Sequence, residues 1–122
     1  MIKGCKIVLS GIFLKKTEKT QNLDSLILNL NSKALQLAKN RDIDLANETV
    51  QLSISLSKNR ELTKMLMKSY NTLGLISYLE SNYHNAFLNF SKQLSIAKRF
   101  NDTHSILSAK TNLGLIYNQI GN

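Results

Sequence analysis

The chain of 122 residues contains no proline and no tryptophan, one cysteine and five glycines. With nothing to break them, long helices can run uninterrupted, and the same shortage argues against a turn-rich sheet protein. A single cysteine, Cys5, rules out a disulfide within the chain and any cysteine-based metal site. Aromatic residues make up only 7%, so packing has to rest on Leu, Ile and Ala. Long hydrophobic runs are missing too: the longest, Ile7 to Leu14, falls far short of the ~20 apolar residues that a membrane-spanning helix needs. Acidic residues are scarce, 8 against 16 basic ones, for a net charge of +8.

That charge is unevenly spread. Residues 1–22 carry five lysines against one glutamate, residues 23–62 balance, and residues 63–122 carry six basic against two acidic side chains. The only adjacent basic pairs are Lys15-Lys16 and Lys98-Arg99, so no dense basic tract marks a nucleic-acid or anionic-lipid site. Nucleic-acid binding through Lys64, Lys68, Lys92, Lys98, Arg99 and Lys110 would require those charges to share one face.

The first 22 residues form a segment of their own. A basic head (Lys3, Lys6) followed by the apolar core Ile7–Leu14 has the outline of a secretory signal, but Lys15-Lys16 stands where small residues should mark cleavage. Read as a signal, it implies an exported, periplasmic or membrane-associated protein; read as an N-terminus that docks on the first helix, it implies a cytoplasmic one. Residues 15–22 look like a linker.

From Leu23 onward apolar residues recur at spacings of three and four, the period of a helix face. Leu23, Leu26, Ile27, Leu30, Ala34, Leu37 and Ala38 define a first helix, and Ile43, Ala46, Val50, Ile54 and Ser57 a second, with Asp42 as its N-cap. Leu66, Tyr70, Leu73, Gly74, Ile76 and Ser77 define a third. Tyr83, Ala86, Phe90, Leu94 and Ala97 define a fourth. The fifth, opened by the capping run Asn101-Asp102-Thr103, carries Ile106, Ala109, Leu113, Ile116, Tyr117 and Ile120. Connectors this short force antiparallel neighbours.

The chain also repeats itself. Leu73-Gly74-Leu75-Ile76 returns as Leu113-Gly114-Leu115-Ile116, 40 residues later. The same shift lays Ala86 on Ala46, Phe90 on Val50, Leu94 on Ile54 and Lys98 on Lys58. Small residues thus recur where helices must come close, at Ala34, Gly74 and Gly114 and at Ala46 and Ala86. A period of this length means a stack of units, each burying its apolar face on the next.

In its motif residues the chain resembles the tetratricopeptide repeat, whose unit carries a large residue, then Leu-Gly, then Tyr, then Ala and Phe. The repeat-packing places are Tyr70, Leu73, Gly74, Ala86 and Phe90 in the second unit and Leu113, Gly114 and Tyr117 in the third. The first unit is degenerate. Departures are the 40-residue period in place of the common 34, the missing proline, and Gln93 where a small residue is usual. The longer period adds about two helical turns per unit. The resemblance implies an all-α, right-handed helical-hairpin solenoid of about five antiparallel helices. Its repeat domain would span residues 23–122, in units 23–62, 63–102 and an incomplete 103–122, behind the signal-like segment 1–22. Gly114 lacks the second helix that its unit should supply, so the chain reads as a piece of a longer array; the other reading is a cap helix over 103–120. Units of this period are similar to those in front of bacterial sensor kinases and transcription regulators.

Chemistry is thin. His84 and His104 lie far apart and have no ligand-spaced acidic partner, and Asp42 and Asp44 sit at a helix start, where the macrodipole accounts for them. Neither a nucleophile–base set nor a glycine-rich phosphate loop is visible, so the reading is a non-enzyme with no cofactor, no metal and no small-molecule substrate. What remains is protein binding. The resemblance places a concave partner groove along the first helix of each unit, at Leu28, Asn31 and Leu35, at Lys68, Asn71, Leu75 and Tyr78, and at Ser108, Thr111, Leu115 and Asn118. A peptide or partner protein would dock there, with self-association through residues 103–120 as a further partner route. The alternative reading is the sensory front of a larger signalling protein.

Overall fold

Four connectors of three residues share one backbone geometry and set the architecture. The middle residue of each is left-handed, with φ of 72° at Arg41, 53° at Glu61, 62° at Ser81 and 53° at Asn101. In the first, the Arg41 amide donates to the Ala38 carbonyl at 3.0 Å and the Asp42 amide to the Leu37 carbonyl at 2.9 Å; the pairing recurs at each of the other three. This is the Schellman stop, which satisfies the last carbonyls of a helix. The residue after it, Asp42, Leu62, Asn82 or Asp102, is at once the N-cap of the next helix.

The structure, a computed structural model, describes residues 20–121. Between the connectors run α1 (Thr20–Lys39), α2 (Ile43–Asn59), α3 (Thr63–Leu79), α4 (Tyr83–Arg99) and α5 (Thr103–Gln119), and no strand occurs among the described residues. The all-helical class and the five helices agree with the sequence periodicity, though α1 starts at Thr20, ahead of the expected boundary at residue 23. The signal-like stretch and Cys5 lie outside the described residues. No described helix is long and apolar enough to cross a membrane. Asp42 occupies its expected N-cap position, but its side chain makes no capping hydrogen bond. Side-chain caps form instead at Asn82, which accepts from the Asn85 amide at 3.3 Å, and at Asp102, which accepts from the Ser105 amide at 3.1 Å.

Each helix packs on the next, and α1 also packs directly on α3. Two layers result, each made of three successive helices. In the first, Ala34, Ala46, Val50, Ile54 and Ile76 close a core from α1, α2 and α3. In the second, Ala86, Phe90 and Ile116 do the same for α3, α4 and α5, flanked by Leu75 and Leu113. Positions 40 residues apart therefore do equivalent jobs, which makes this packing consistent with a helical repeat. Where the first layer sets Val50 beside Ala34, the second sets Phe90 against Gly74, trading a side chain on one helix for a ring on the other. The trade is tight: a Cβ on Gly74 would lie 2.5 Å from Phe90 Cε1.

The first layer is also joined by a buried polar knot. Ser53 Oγ donates to Asn31 Oδ1 at 2.7 Å, Asn31 Nδ2 donates to Ser69 Oγ at 3.2 Å, and the two serine hydroxyls share a hydrogen bond. One residue each from α2, α1 and α3 meets there, away from water.

Candidate partner-binding surface

The sequence pattern makes α1, α3 and α5 the first helices of their units, and the structure ties α3 and α5 together at three heights. At the top, the first turn of α5 lies near Lys64 and Lys68 of α3. The Asp102 carboxyl is held below its ordinary value first by the Ser105 backbone amide and then, against some desolvation, by the Ser105 side chain and those two lysines. In the middle, Asn112 Nδ2 donates to Asn71 Oδ1 at 3.2 Å. Near the foot, Gln119 Nε2 donates to the Tyr78 hydroxyl at 3.3 Å, and the Tyr83 hydroxyl reaches Gln119 Oε1 at 3.5 Å. Partners 34 to 41 residues apart along the whole length mean that α3 and α5 run in the same direction.

The expected groove residues divide under this geometry. Leu28, Lys68, Thr111, Leu115 and Asn118 are exposed, while Leu35 and Ser108 are half-buried. Thr111 turns its hydroxyl back to the Leu107 carbonyl at 2.9 Å. Asn71 and Tyr78, both half-buried, spend polar groups on α5, and the Tyr78 ring lies 5.6 Å from that of Tyr83. Leu75 packs on the Phe90–Ile116 core. Asn31 belongs inside. Only 6% exposed, it has both ends of its amide committed to Ser53 and Ser69, so it holds α1, α2 and α3 together and offers nothing to a ligand. An asparagine on the expected groove face looks like a free hydrogen-bonding group in sequence. Its partners Ser53 and Ser69 lie 22 and 38 residues away, where no local pattern joins them to it.

Among the packing residues, Tyr70 and Leu73 line the first core, and Lys92 Nζ sits 5.2 Å from the Tyr70 ring centroid. Gly74 and Phe90 form the tight contact described above, and Ala86 is buried in the same core as Phe90. Leu113 is half-buried, but Gly114 has no atom near where a Cβ would project, and Tyr117 is 57% exposed. Tyr117 instead meets the edge of Phe87 at 6.0 Å. Beside them opens an apolar cleft of about 300 Å³, lined by Tyr83, His84, Phe87, Ile116, Tyr117 and Ile120. Periodicity did not reveal it, because Tyr117 and Ile120 read as core and Phe87 falls off the apolar stripe of α4. His84 and His104 are exposed at helix starts, and no described cluster of three or more His, Cys, Asp or Glu is placed to hold a metal ion. Comparison of the chain with known protein families, with curated proteins and with solved structures found no match.

Proposed function

We propose that the chain is a tetratricopeptide-like interaction module that holds a peptide or partner protein along the exposed face of α3 and α5. The observation that supports this reading is the registered pairing of those helices. Asn71–Asn112 and Tyr78–Gln119 bonds fix them side by side, and Lys68, Thr111, Leu115 and Asn118 remain accessible. A registered face with one cation, hydrogen-bonding side chains and an exposed leucine is what an extended or helical segment needs for both register and affinity. Direct packing of α1 on α3, without an equivalent approach of α2 to α4, supports concavity on the side of the first helices in the first layer, while α3 and α5 stand further apart and are joined by side chains.

The reading is tested by selecting ligands from a displayed random-peptide library on the whole chain, then measuring them on Leu115→Asp. Leu115 is 46% exposed, so the variant should melt with the parent. Selected peptides should lose about tenfold or more in affinity, the loss typical of a central contact residue. Peptides that bind the variant undiminished, or a library that yields none, would overturn the groove assignment.

A further inference from the structure

One face of α5 stays open although the matching face of α3 is covered. Leu107 is 66% exposed where its counterpart Met67 is 1%, and Tyr117 is 57% exposed where Ser77 is 5%. Gly114 faces open space where Gly74 lies under the Phe90 ring. Ile120, at 61% exposed, extends the same patch, and the cleft lined by Tyr83, Phe87 and Ile116 carries it onto α4. A run of exposed apolar side chains around an unused helical glycine marks a docking surface better than scattered single leucines do.

The molecule contains its own template for what covers such a face. On α3 the cover is α4: Phe90, one turn after the buried Ala86, closes on Gly74, and Lys92 reaches over the Tyr70 ring. One substitution changes the chemistry required at the copy. Lys110 stands exposed where Tyr70 stands, and residues 103–121 contain no aspartate or glutamate to neutralise it. A cation in the place of Lys92 would be repelled there, and an acid would be attracted.

We propose that this face of α5 docks a helix of a partner protein carrying a small residue, an aromatic one turn later and an acid two residues beyond. The aromatic ring seats on Gly114 and the carboxylate meets Lys110. The surface is distinct from the α3–α5 groove and is continuous, through α4, with the α3–α4 interface. A second copy of this chain is the poorer occupant. Its matching face brings a second Lys110 to the first, and both described helices with the required small-aromatic spacing are already committed: Phe90 of Ala86–Phe90 is 1% exposed, and in Gly74–Tyr78, which Glu80 follows, Gly74 lies under the Phe90 ring and Tyr78 packs against that core and bonds Gln119.

The probe is a helix-stapled peptide with the sequence of residues 82–101, made with glutamate at position 92, with the original lysine, and with glutamate plus Phe90→Ala. Binding to the whole chain and to its Gly114→Leu variant is followed by fluorescence anisotropy at two salt concentrations. Gly114→Leu fills open space on a helix, so it folds and melts no lower than the parent. The glutamate peptide should bind about tenfold tighter than the lysine form, with the gap narrowing in high salt. The Phe90→Ala peptide and the Gly114→Leu chain should each lose about tenfold or more. Leu115→Asp, in the groove, should leave this binding intact, which separates the two surfaces. Failure of the glutamate peptide to bind, equal binding to Gly114→Leu, or a dimer of the chain that Gly114→Leu dissolves would each overturn the proposal.

Discussion

The two layers of the molecule are built on one sequence plan and differ in how tightly they close. In the first, α1 and α3 pack directly, and Asn31, Ser53 and Ser69 share hydrogen bonds at their junction with α2. In the second, α3 and α5 do not approach as closely, and the same three places hold Asn71, Gln93 and Ala109. Gln93 is only 4% exposed, and its amide oxygen has no hydrogen-bond partner among the described residues. We attribute the wider spacing to the longer side chain at this three-helix junction and the unpaired oxygen to Ala109, which lacks the hydroxyl that Ser69 brings to the first. On this account the junction residue sets the distance between neighbouring first helices, which the rebuilt junction below tests. The lesson is that a repeat can keep its backbone plan while single junction residues tune its opening.

The largest expected effect separates the two copies of the Leu-Gly-Leu-Ile motif. Gly74→Ala places a methyl 2.5 to 2.9 Å from three atoms of the Phe90 ring, which is itself buried and cannot swing aside. Overpacking of this kind costs about 1–3 kcal/mol, more than the ~1 kcal/mol gained in helix propensity. Gly114→Ala meets no atom and should raise stability by up to about 1 kcal/mol. Chemical denaturation of both variants checks the opposite signs. Equal shifts in the same direction would erase the distinction between the layers.

A middling effect is expected from rebuilding the first junction inside the second. Gln93→Ser with Ala109→Ser recreates the asparagine–serine–serine set with Asn71 and removes the unpaired amide. Spin labels at Lys68 and Thr111, both exposed, should then report α3 and α5 closer by about 2 Å, the range over which contact side chains set interaxial distance. An unchanged distance would mean that the spacing is set elsewhere.

The five helices, their short connectors and the 40-residue sequence repeat were legible in the sequence, because 3.6-residue periodicity and size alternation are local signals, though α1 begins three residues ahead of the expected boundary. Ala46, Val50, Ile54 and Ser57 line one face of α2 as the spacing predicts, and all are buried. Two things were not legible. Asn31 was assigned to the groove because its partners Ser53 and Ser69 lie 22 and 38 residues away and pair with it only through tertiary contact. Tyr117 and Ile120 were assigned to the core stripe of α5, but α4 covers only its Ala109 and Ile116 side, so these two line an open cleft. Periodicity tells which face of a helix is apolar. What lies against that face is a different question, and for α5 the answer depends on a neighbour.

The smallest effect concerns how the looser layer is held at its upper end. The N-cap of α3 is Leu62, with no side-chain cap, whereas α5 has Asp102 accepting from the Ser105 amide beside Lys64 and Lys68. These contacts favour the charged carboxylate, chiefly through the Ser105 backbone bond, and hold its pKa below the ordinary 3.8. A group depressed in the folded state stabilises at pH above its unfolded value and loses that contribution as the pH falls through the folded one. The first turn of α5 should therefore loosen only below about pH 4, while α3, capped by a leucine, should show no matching acid transition of its own. Following the Ser105 amide shift by NMR against pH checks this, with a midpoint expected below 3.8 in the parent and no such transition in Asp102→Asn, which keeps an oxygen acceptor without the charge. A midpoint at or above 3.8 would mean that the lysines of α3 and the cap do nothing for α5, and the second layer would have to be held by its apolar core and the two lower side-chain bonds alone.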